Sequence, residues 1–523
     1  MTATARFKKS RNDWKGKAVP RGTALREKRK DERRLRQRNQ ELRLICSKTS
    51  IELEQARTRI RVLESELAEK DDENSSLREA LHSRDTLPDI IRSRARLRTL
   101  CVLMVTCGII SFRSVPRLLG ILHPLGWVQV QIPHFTSVIH WSLRAGIAVF
   151  HQVGEVKSPW LAIIDCSIDV GTRKALVVLR VPLTALADKQ GAIGLDDCQC
   201  IGLEISRTWN GPLVEAALIK IFGKAGMPRA IIKDRGTDLN KGVELYRETE
   251  DAKKVWVIDD VGHVAANALK AEFGGRSAFV TFLTIVRKGA ARIRQTDLAW
   301  LLPPKIRTKG RFQGITVLAE WAGKAMALMG GQGRATEGSE LNALRKAFCG
   351  LAQLRVFLEN FVTTCRVVEG FLKIMKQKGM NQASYVEAKT VLTQLPEHSQ
   401  VRSRLIVWLD RHLWVQCRIG VGQLPLLVSS DVIESLFGKF KTIIQRNPQA
   451  ELNRLIYMIP LLCGKRTSDN IDRALRDCSH LQMLTQIEQT IPTTLRQQRH
   501  RVLDSGRADE VPETGNPAKL KAG

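Results

Sequence analysis

The sequence predicts an α/β protein: a mixed β-sheet with helices on both faces, a long all-helical stretch after it, and a coiled coil and small helical domain before it. Three observations lead there. Between residues 161 and 273, three apolar strand-like runs come in succession, and further strands then alternate with amphipathic helices. From about 275 to 425 the strand signal disappears and the apolar period becomes helical. Across 41–84 the apolar positions recur with alternating spacings of four and three residues.

Taken in order, residues 1–40 read as a basic, disordered arm. Arg29, Lys30, Arg33 and Arg34 lie in its densest cluster, suited to neutralising phosphates. Residues 41–84 place Leu42, Cys46, Thr49, Leu53, Ala56, Ile60, Leu63, Leu67, Lys70, Asn74, Leu77 and Leu81 on one seam. A lone helix otherwise this polar has nothing to bury, so self-association as a dimer or higher oligomer is expected ahead of the plainer reading, a single long helix packing on its own protein. Asp85 to Pro88 ends it. Residues 87–150 read as short helices, one from Ser111 to Leu122 and one from near Pro133 to Gly146, joined through Pro124 and Gly126. The second carries His134, Thr136, Ser137, His140 and Arg144, of which Arg144 is expected to bind DNA. The pair suits a helix-turn-helix, and equally any small helical bundle.

Strands are expected at 161–168, 175–181, 200–206, 228–233 and 254–258, with helices at 212–224, 236–246 and 263–273, making 158–274 the first part of the core. Residues 275–425 form the helical stretch, including 315–328 and a continuous 341–375. Residues 426–490 return to the core with helices at 431–445 and 452–462. The polar tail, 491–523, reads as disordered.

Composition narrows the function. The 523 residues include 83 Lys+Arg against 53 Asp+Glu, a formal charge of +30. An excess of that size points to a polyanion, nucleic acid before an anionic membrane. The longest apolar run, Thr99 to Phe112, is too short to span a bilayer, and the basic N-terminus has no signal-peptide core. The 11 cysteines include no CxxC pair, which argues for free thiols in a reducing compartment and against a structural zinc site.

Asp165 interrupts an apolar strand, where a carboxylate is costly unless paired or bound to a metal. Asp234 ends the fourth strand, and Glu434 sits beside the apolar stripe of VSSDVIESLFGKFK. If the first and fourth strands are neighbours, Asp165 and Asp234 face one cation. Hard oxygen donors suit Mg²⁺ or Mn²⁺, and two such ions would clamp a reacting phosphodiester. Taken singly, each residue has a plainer role: a strand-end Asp is usually a turn cap, and a helical Glu is usually solvated. Asp259, Asp260 and His263 form an accessory group, with Asp260 expected to cap the following helix. Lys439 and Lys441, with the KIRTKGR stretch at 305–311, are expected to meet DNA phosphates.

The words IIDCSID around Asp165, AIIKDRGTDL around Asp234 and SSDVIESLFGKFK around Glu434 resemble a DDE transposase of bacterial insertion-sequence type. VIDDVGHVAANALK and LLPPKIRTKGRF support the likeness, which covers about Trp160 to Arg446. The resemblance implies an RNase H-like catalytic domain with adjacent first and fourth strands. The long gap between Asp234 and Glu434 then requires an insertion, and its helical composition resembles hAT-type insertions. The resemblance further implies that Asp165, Asp234 and Glu434 hold two divalent ions. It implies hydrolysis at a transposon end followed by strand transfer into target DNA, in a cytoplasmic, nucleoid-associated protein. Two other readings stand beside it: an RNase H-like nuclease or resolvase, and a catalytically inactive, domesticated DNA-binding protein.

Overall fold

The computed structural model describes residues 10–12, 24–42, 49, 53–54, 56–60, 62–67, 69–70, 91–170, 173–189, 193–305, 312–330, 339–419, 422, 424–444, 454–491 and 503, the side chains of 167–170, 188, 251 and 330 excepted. The chain separates into two units at Thr86/Leu87.

In the first unit, residues 24–42 form an exposed helix, α1, and helical residues continue at 53–54, 56–60, 62–67 and 69–70. Arg29, Lys30, Arg33 and Arg34 therefore lie on a helix rather than on a disordered arm. The segment is rich in Arg, Lys, Glu, Gln and Leu, which lose little rotamer freedom in a helix. The seam residues Leu42, Leu53, Ile60, Leu63 and Leu67 are each at least half exposed, from 50% to 69%. Cys46, Asn74, Leu77 and Leu81 lie outside the described residues, as does the 491–523 tail apart from Ile491 and Leu503.

The second unit begins with α2 (Arg94–Thr106), α3 (Ser114–Leu122) and α4 (Phe135–His151). Ser93 caps α2 through the Ala95 amide, and His134 caps α4 through the Thr136 amide. Ser111 Oγ accepts from the Ser114 amide at 3.2 Å, the local reason that α3 starts there. Ser142 through Ala148 of α4 are all buried. Arg144 is among them, which corrects its expected role on DNA. Its guanidinium donates to Leu475 O at 2.6 Å and Cys478 O at 2.7 Å, satisfying carbonyls at the end of a C-terminal helix.

The sheet has five strands: β1 (Trp160–Val170), β2 (Arg173–Pro182), β3 (Gln199–Ser206), β4 (Ala230–Lys233) and β5 (Trp256–Asp259), in the order β3-β2-β1-β4-β5. β1 pairs antiparallel with β2 and parallel with β4. The first and fourth strands are thus neighbours. This mixed sheet is compatible with the RNase H-like expectation.

Both faces are buried, so the strands read as continuous apolar runs. Leu161 and Ile163 of β1 join one core, Trp160, Ala162 and Ile164 the other. The short α5 (Leu183–Asp188) follows β2. α6 (Gly211–Ala225) and α7 (Thr237–Glu248) cover the second face through Val214, Leu218, Phe222, Leu239 and Val243. α8 (Val261–Phe273) contributes Val261, Val264, Ala265 and Leu269 to the first.

The helical stretch follows as α9 (Ser277–Ile293), α10 (Ile315–Gly330), α11 (Glu340–Ala347), α12 (Arg355–Lys378), α13 (Gln382–Leu392) and α14 (Gln400–Ile419). The continuous helix expected over 341–375 is broken by a 3-10 segment, Cys349–Leu354. There Gly350 lets α9 come close, since a Cβ would lie 2.9 Å from Ile285 Cδ1. The chain ends with α15 (Asp431–Ile443), α16 (Ser468–Asp477) and α17 (His480–Thr490). The helix expected at 452–462 is instead two 3-10 turns, Arg454–Met458 and Pro460–Leu462. Pro460 lacks the amide an α-helix would need. Tyr457 presses its carbonyl so close to α4 that a Cβ at Gly146 would sit 2.1 Å from it.

Candidate active site

Strand register places the first two carboxylates. Ile164 of β1 is opposite Lys233 of β4, so Asp165 and Asp234 follow as the next residues of two adjacent parallel strands. Side chains alternate along a strand. Ile163 and Ile232 both belong to the core beneath α8, and two residues further on the same alternation directs Asp165 and Asp234 to that side. Cys166, the neighbour of Asp165, packs toward the opposite core. Burial pushes its thiol well up, and the charges of Asp165, Asp234 and Asp238 add to the rise. All three carboxylates therefore act on one small region at this end of the sheet. Asp234 Oδ1 accepts from the Gly236 amide at 2.9 Å, which orients the carboxylate at the turn into α7.

The second half of the site comes from β5 and α8. Asp260 is the N-cap of α8, as expected, and accepts from the His263 amide at 2.7 Å. It does more than cap. Its other oxygen accepts from the Ser430 amide at 2.6 Å and the Ser430 hydroxyl at 2.9 Å. Burial opposes its ionisation, but the His263 contacts and the Ser430 amide outweigh that and hold its pKa below the usual carboxylate range. A buried carboxylate with this many donors pins the start of α15 to the end of β5. Val261 N to Val428 O, at 3.0 Å, is a second tie at the same junction.

His263 joins the two halves. Its Nδ1 is 3.0 Å from Asp260 Oδ1 and its Nε2 is 3.9 Å from Asp234 Oδ2. Burial disfavours charge on the ring, yet Asp260, Asp234 and Glu434 together raise its pKa to about 9. Those three carboxylates favour the protonated ring at neutral pH. The Gln313 amide meets Nε2 at 2.6 Å. The amide atom placed there is Gln313 Nε2; a protonated His263 Nε2 has no lone pair to accept from it, so a charged ring requires the amide to turn its oxygen inward.

Glu434 lies one turn into α15, exposed at the mouth of an open cleft of about 430 Å³. Asp260, His263, Lys305, Gln313, Lys376 and Asp431 share that cleft. Partial desolvation, then the charges of Asp431 and Asp260, push the Glu434 pKa up, and His263 and Lys376 oppose the rise. Lys376 of α12 pairs with Asp431 at 2.7 Å.

Asp259 stands apart from this group. It is the register partner of Lys233, whose ammonium it meets at 3.0 Å in a buried pair. Lys439 and Lys441 lie partly exposed on α15, whereas of the KIRTKGR basics only Lys305 falls within the described residues. Sequence reasoning missed Gln313, Lys376 and Ser430. Gln313 and Lys376 carry no motif and reach the site through packing of the helical stretch, whereas Ser430 stands inside the SSDVIESLFGKFK word, which was read only for Glu434.

The donors present are hard carboxylate oxygens, the set that suits Mg²⁺ or Mn²⁺. Among the described residues, no group of three or more His, Cys, Asp or Glu is already arranged to hold an ion. Nor, among them, is any helix long and apolar enough to cross a membrane.

The sequence matches no family model and no curated protein. Among solved structures the chain has a distant likeness to the Drosophila P element transposase strand transfer complex, with 12% identity and a TM-score of 0.38, covering 77% of this chain and 100% of that chain.

Proposed function

We propose that the chain is a DNA transposase of the DDE, RNase H-like type, with Asp165, Asp234 and Glu434 as its carboxylates. The observation that carries this reading is that Asp165 and Asp234 each directly follow the last register pair, Ile164 opposite Lys233, of two neighbouring parallel strands. The formal charge of +30 supports a polyanionic substrate.

Asp165 and Asp234 would hold the divalent ions, Mg²⁺ or Mn²⁺, and Glu434 would complete the set. The metal would supply Lewis acidity at the phosphoryl oxygen and make a bound water more acidic. The residues of the chain do the rest. Asp234 is oriented by the Gly236 amide. Glu434, with its raised pKa, is suited to hold a proton near the attacking oxygen. His263, held as a cation by Asp260, offers positive charge to the phosphate beside Asp234. The exposed basic face of α1 would bind duplex DNA, and the apolar seam from Leu42 to Leu67 would join two or more copies.

The test is an oligonucleotide cleavage and strand-transfer assay in Mg²⁺ or Mn²⁺ with wild type and Asp165→Ala. Loss of both products with retained DNA binding supports the reading. Hydrolysis without strand transfer favours a nuclease or resolvase, and cleavage that survives Asp165→Ala sinks the carboxylate assignment. Separately, deletion of residues 40–83 should convert an oligomer to a monomer on light scattering. An unchanged mass would remove the coiled coil from the proposal.

A further inference from the structure

A second cleft, of about 260 Å³, opens beside the β5 edge of the sheet. Its walls are Val264, Asn267 and Ala268 of α8 and, opposite, residues of α14; Arg235 and Asp259 close one end. Three guanidinium groups border it, those of Arg235, Arg404 and Arg411.

The charge there is not balanced from within. Asp259 is the carboxylate in the lining, and one of its oxygens is already committed to the buried Lys233 ammonium at 3.0 Å. Its second oxygen is 3.6 Å from Arg411 Nη1 and 3.9 Å from Arg235 Nε, the outer limit of an ion pair. Both arginines are about half exposed, at 54% and 47%. Arg404 makes no ion pair among the described residues. The remaining titratable group, His412, is kept neutral: burial lowers its pKa to about 4, with Arg411 and Lys233 adding to the effect and Asp259 opposing it. It accepts from the Asp259 amide at 3.1 Å and so adds no negative charge. The cleft is thus a cationic, open site with guanidinium donors at one end and on the α14 wall. Arginine forks of this kind match phosphate oxyanions.

Its position decides which phosphate. Arg235 directly follows Asp234 in the chain, so the cleft begins where the acidic pair ends. We infer that Arg235, Arg404 and Arg411 form a subsite for the phosphodiester backbone of the DNA strand that reacts at Asp165 and Asp234, an inference that rests on the function proposed above. The helical stretch then has a direct part in substrate binding, because α14 supplies two of the three arginines.

The test is the salt dependence of duplex binding, read by fluorescence polarisation without divalent metal. Arg404→Ala/Arg411→Ala removes two exposed side chains from α14, and Arg404→Lys/Arg411→Lys keeps the charge. Arg355→Ala/Arg476→Ala is the control for net charge, since both are exposed and lie in surface pairs with Glu359 and Asp472. Each phosphate contact contributes about 0.9 to the slope of log affinity against log salt. The cleft double variant should lose about 2 from that slope, while the lysine variant and the control stay near wild type. Equal slopes in all four proteins overturn the subsite. If cleavage still depends on Asp165 in that case, the proposed function survives without it. A wild type that fails to bind duplex DNA overturns the subsite as well. If inorganic tripolyphosphate raises the melting temperature of wild type but not of the cleft variant, while the slopes stay equal, the cleft takes free polyphosphate and the DNA assignment falls.

Discussion

The two sides of the candidate site are built differently. On the strand side, Asp165 is paired with Val177 within the sheet, and Asp234 directly follows the last residue of β4. Asp234 takes one backbone amide and keeps its other oxygen 3.9 Å from a histidine. On the helix side, Asp260 is buried and surrounded by donors from His263 and Ser430. Its side chain is itself what holds two elements together. The contrast separates reactive carboxylates from structural ones. A carboxylate whose lone pairs are consumed inside the protein, as those of Asp260 are, has little capacity left for a ligand.

Substitution on each side should therefore fail in different ways. Asp165→Ala and Asp234→Ala should leave the melting temperature within a few degrees of wild type. They should lower cleavage by about 10³-fold, the scale of losing several kcal/mol of charge stabilisation at the reacting phosphate. A large loss of stability with either would erase the distinction.

Asp260→Asn should do the reverse. It removes charge-assisted hydrogen bonds from a site where water cannot replace them, at a cost of about 2–3 kcal/mol. Chemical denaturation reads this directly. An unchanged midpoint would mean that the β5–α15 junction is held by the Val261–Val428 tie alone.

Glu434→Gln lies between the two. Glu434 is exposed on α15, so stability should hold. Cleavage should fall roughly 10²-fold if it supplies a proton site, the usual contribution of general acid–base catalysis. If the rate falls while its pH profile keeps the same shape, Glu434 acts through position or charge rather than by proton transfer.

How much of this was legible in the sequence follows from the same contrast. The strands at β1 to β5 and the acidic residues at their ends could be read because a sheet buried on both faces writes itself as short apolar runs. Asp165 stood out as a charge inside such a run, and Asp260 as a cap. The clamp that closes the site was not legible. Gln313, Lys376 and Ser430 sit far from His263 and Asp260 in sequence, and no local pattern encodes their meeting. Arg144 misled for a related reason. A basic residue on an amphipathic helix normally faces solvent, but here the carbonyls of Leu475 and Cys478 draw it inward. The seam of residues 41–84 had the clearest period, and its described leucines, Leu42, Leu53, Leu63 and Leu67, are exposed within one copy of the chain.

The smallest effect concerns the place where the two sides share a support. His412 of α14 accepts from the Asp259 amide through Nε2, and its Nδ1 is 2.7 Å from Trp408 O. That pattern needs a neutral ring with the proton on Nδ1. Burial above all lowers the His412 pKa from the ordinary 6.5 to about 4. Between those two values the unfolded chain carries the extra proton, so stability rises with pH across that window and falls on acidification. One such group contributes at most about 1.4 kcal/mol per pH unit. Denaturation midpoints at pH 7, 6 and 5 should therefore decline progressively, and His412→Gln should flatten that decline by up to one proton's worth of slope. If the slope is the same in wild type and variant, His412 is not the group that registers the acid. The decline between pH 7 and 5 would then belong to another group, because the Asp259 carboxylate, paired with Lys233, titrates only below the usual carboxylate range.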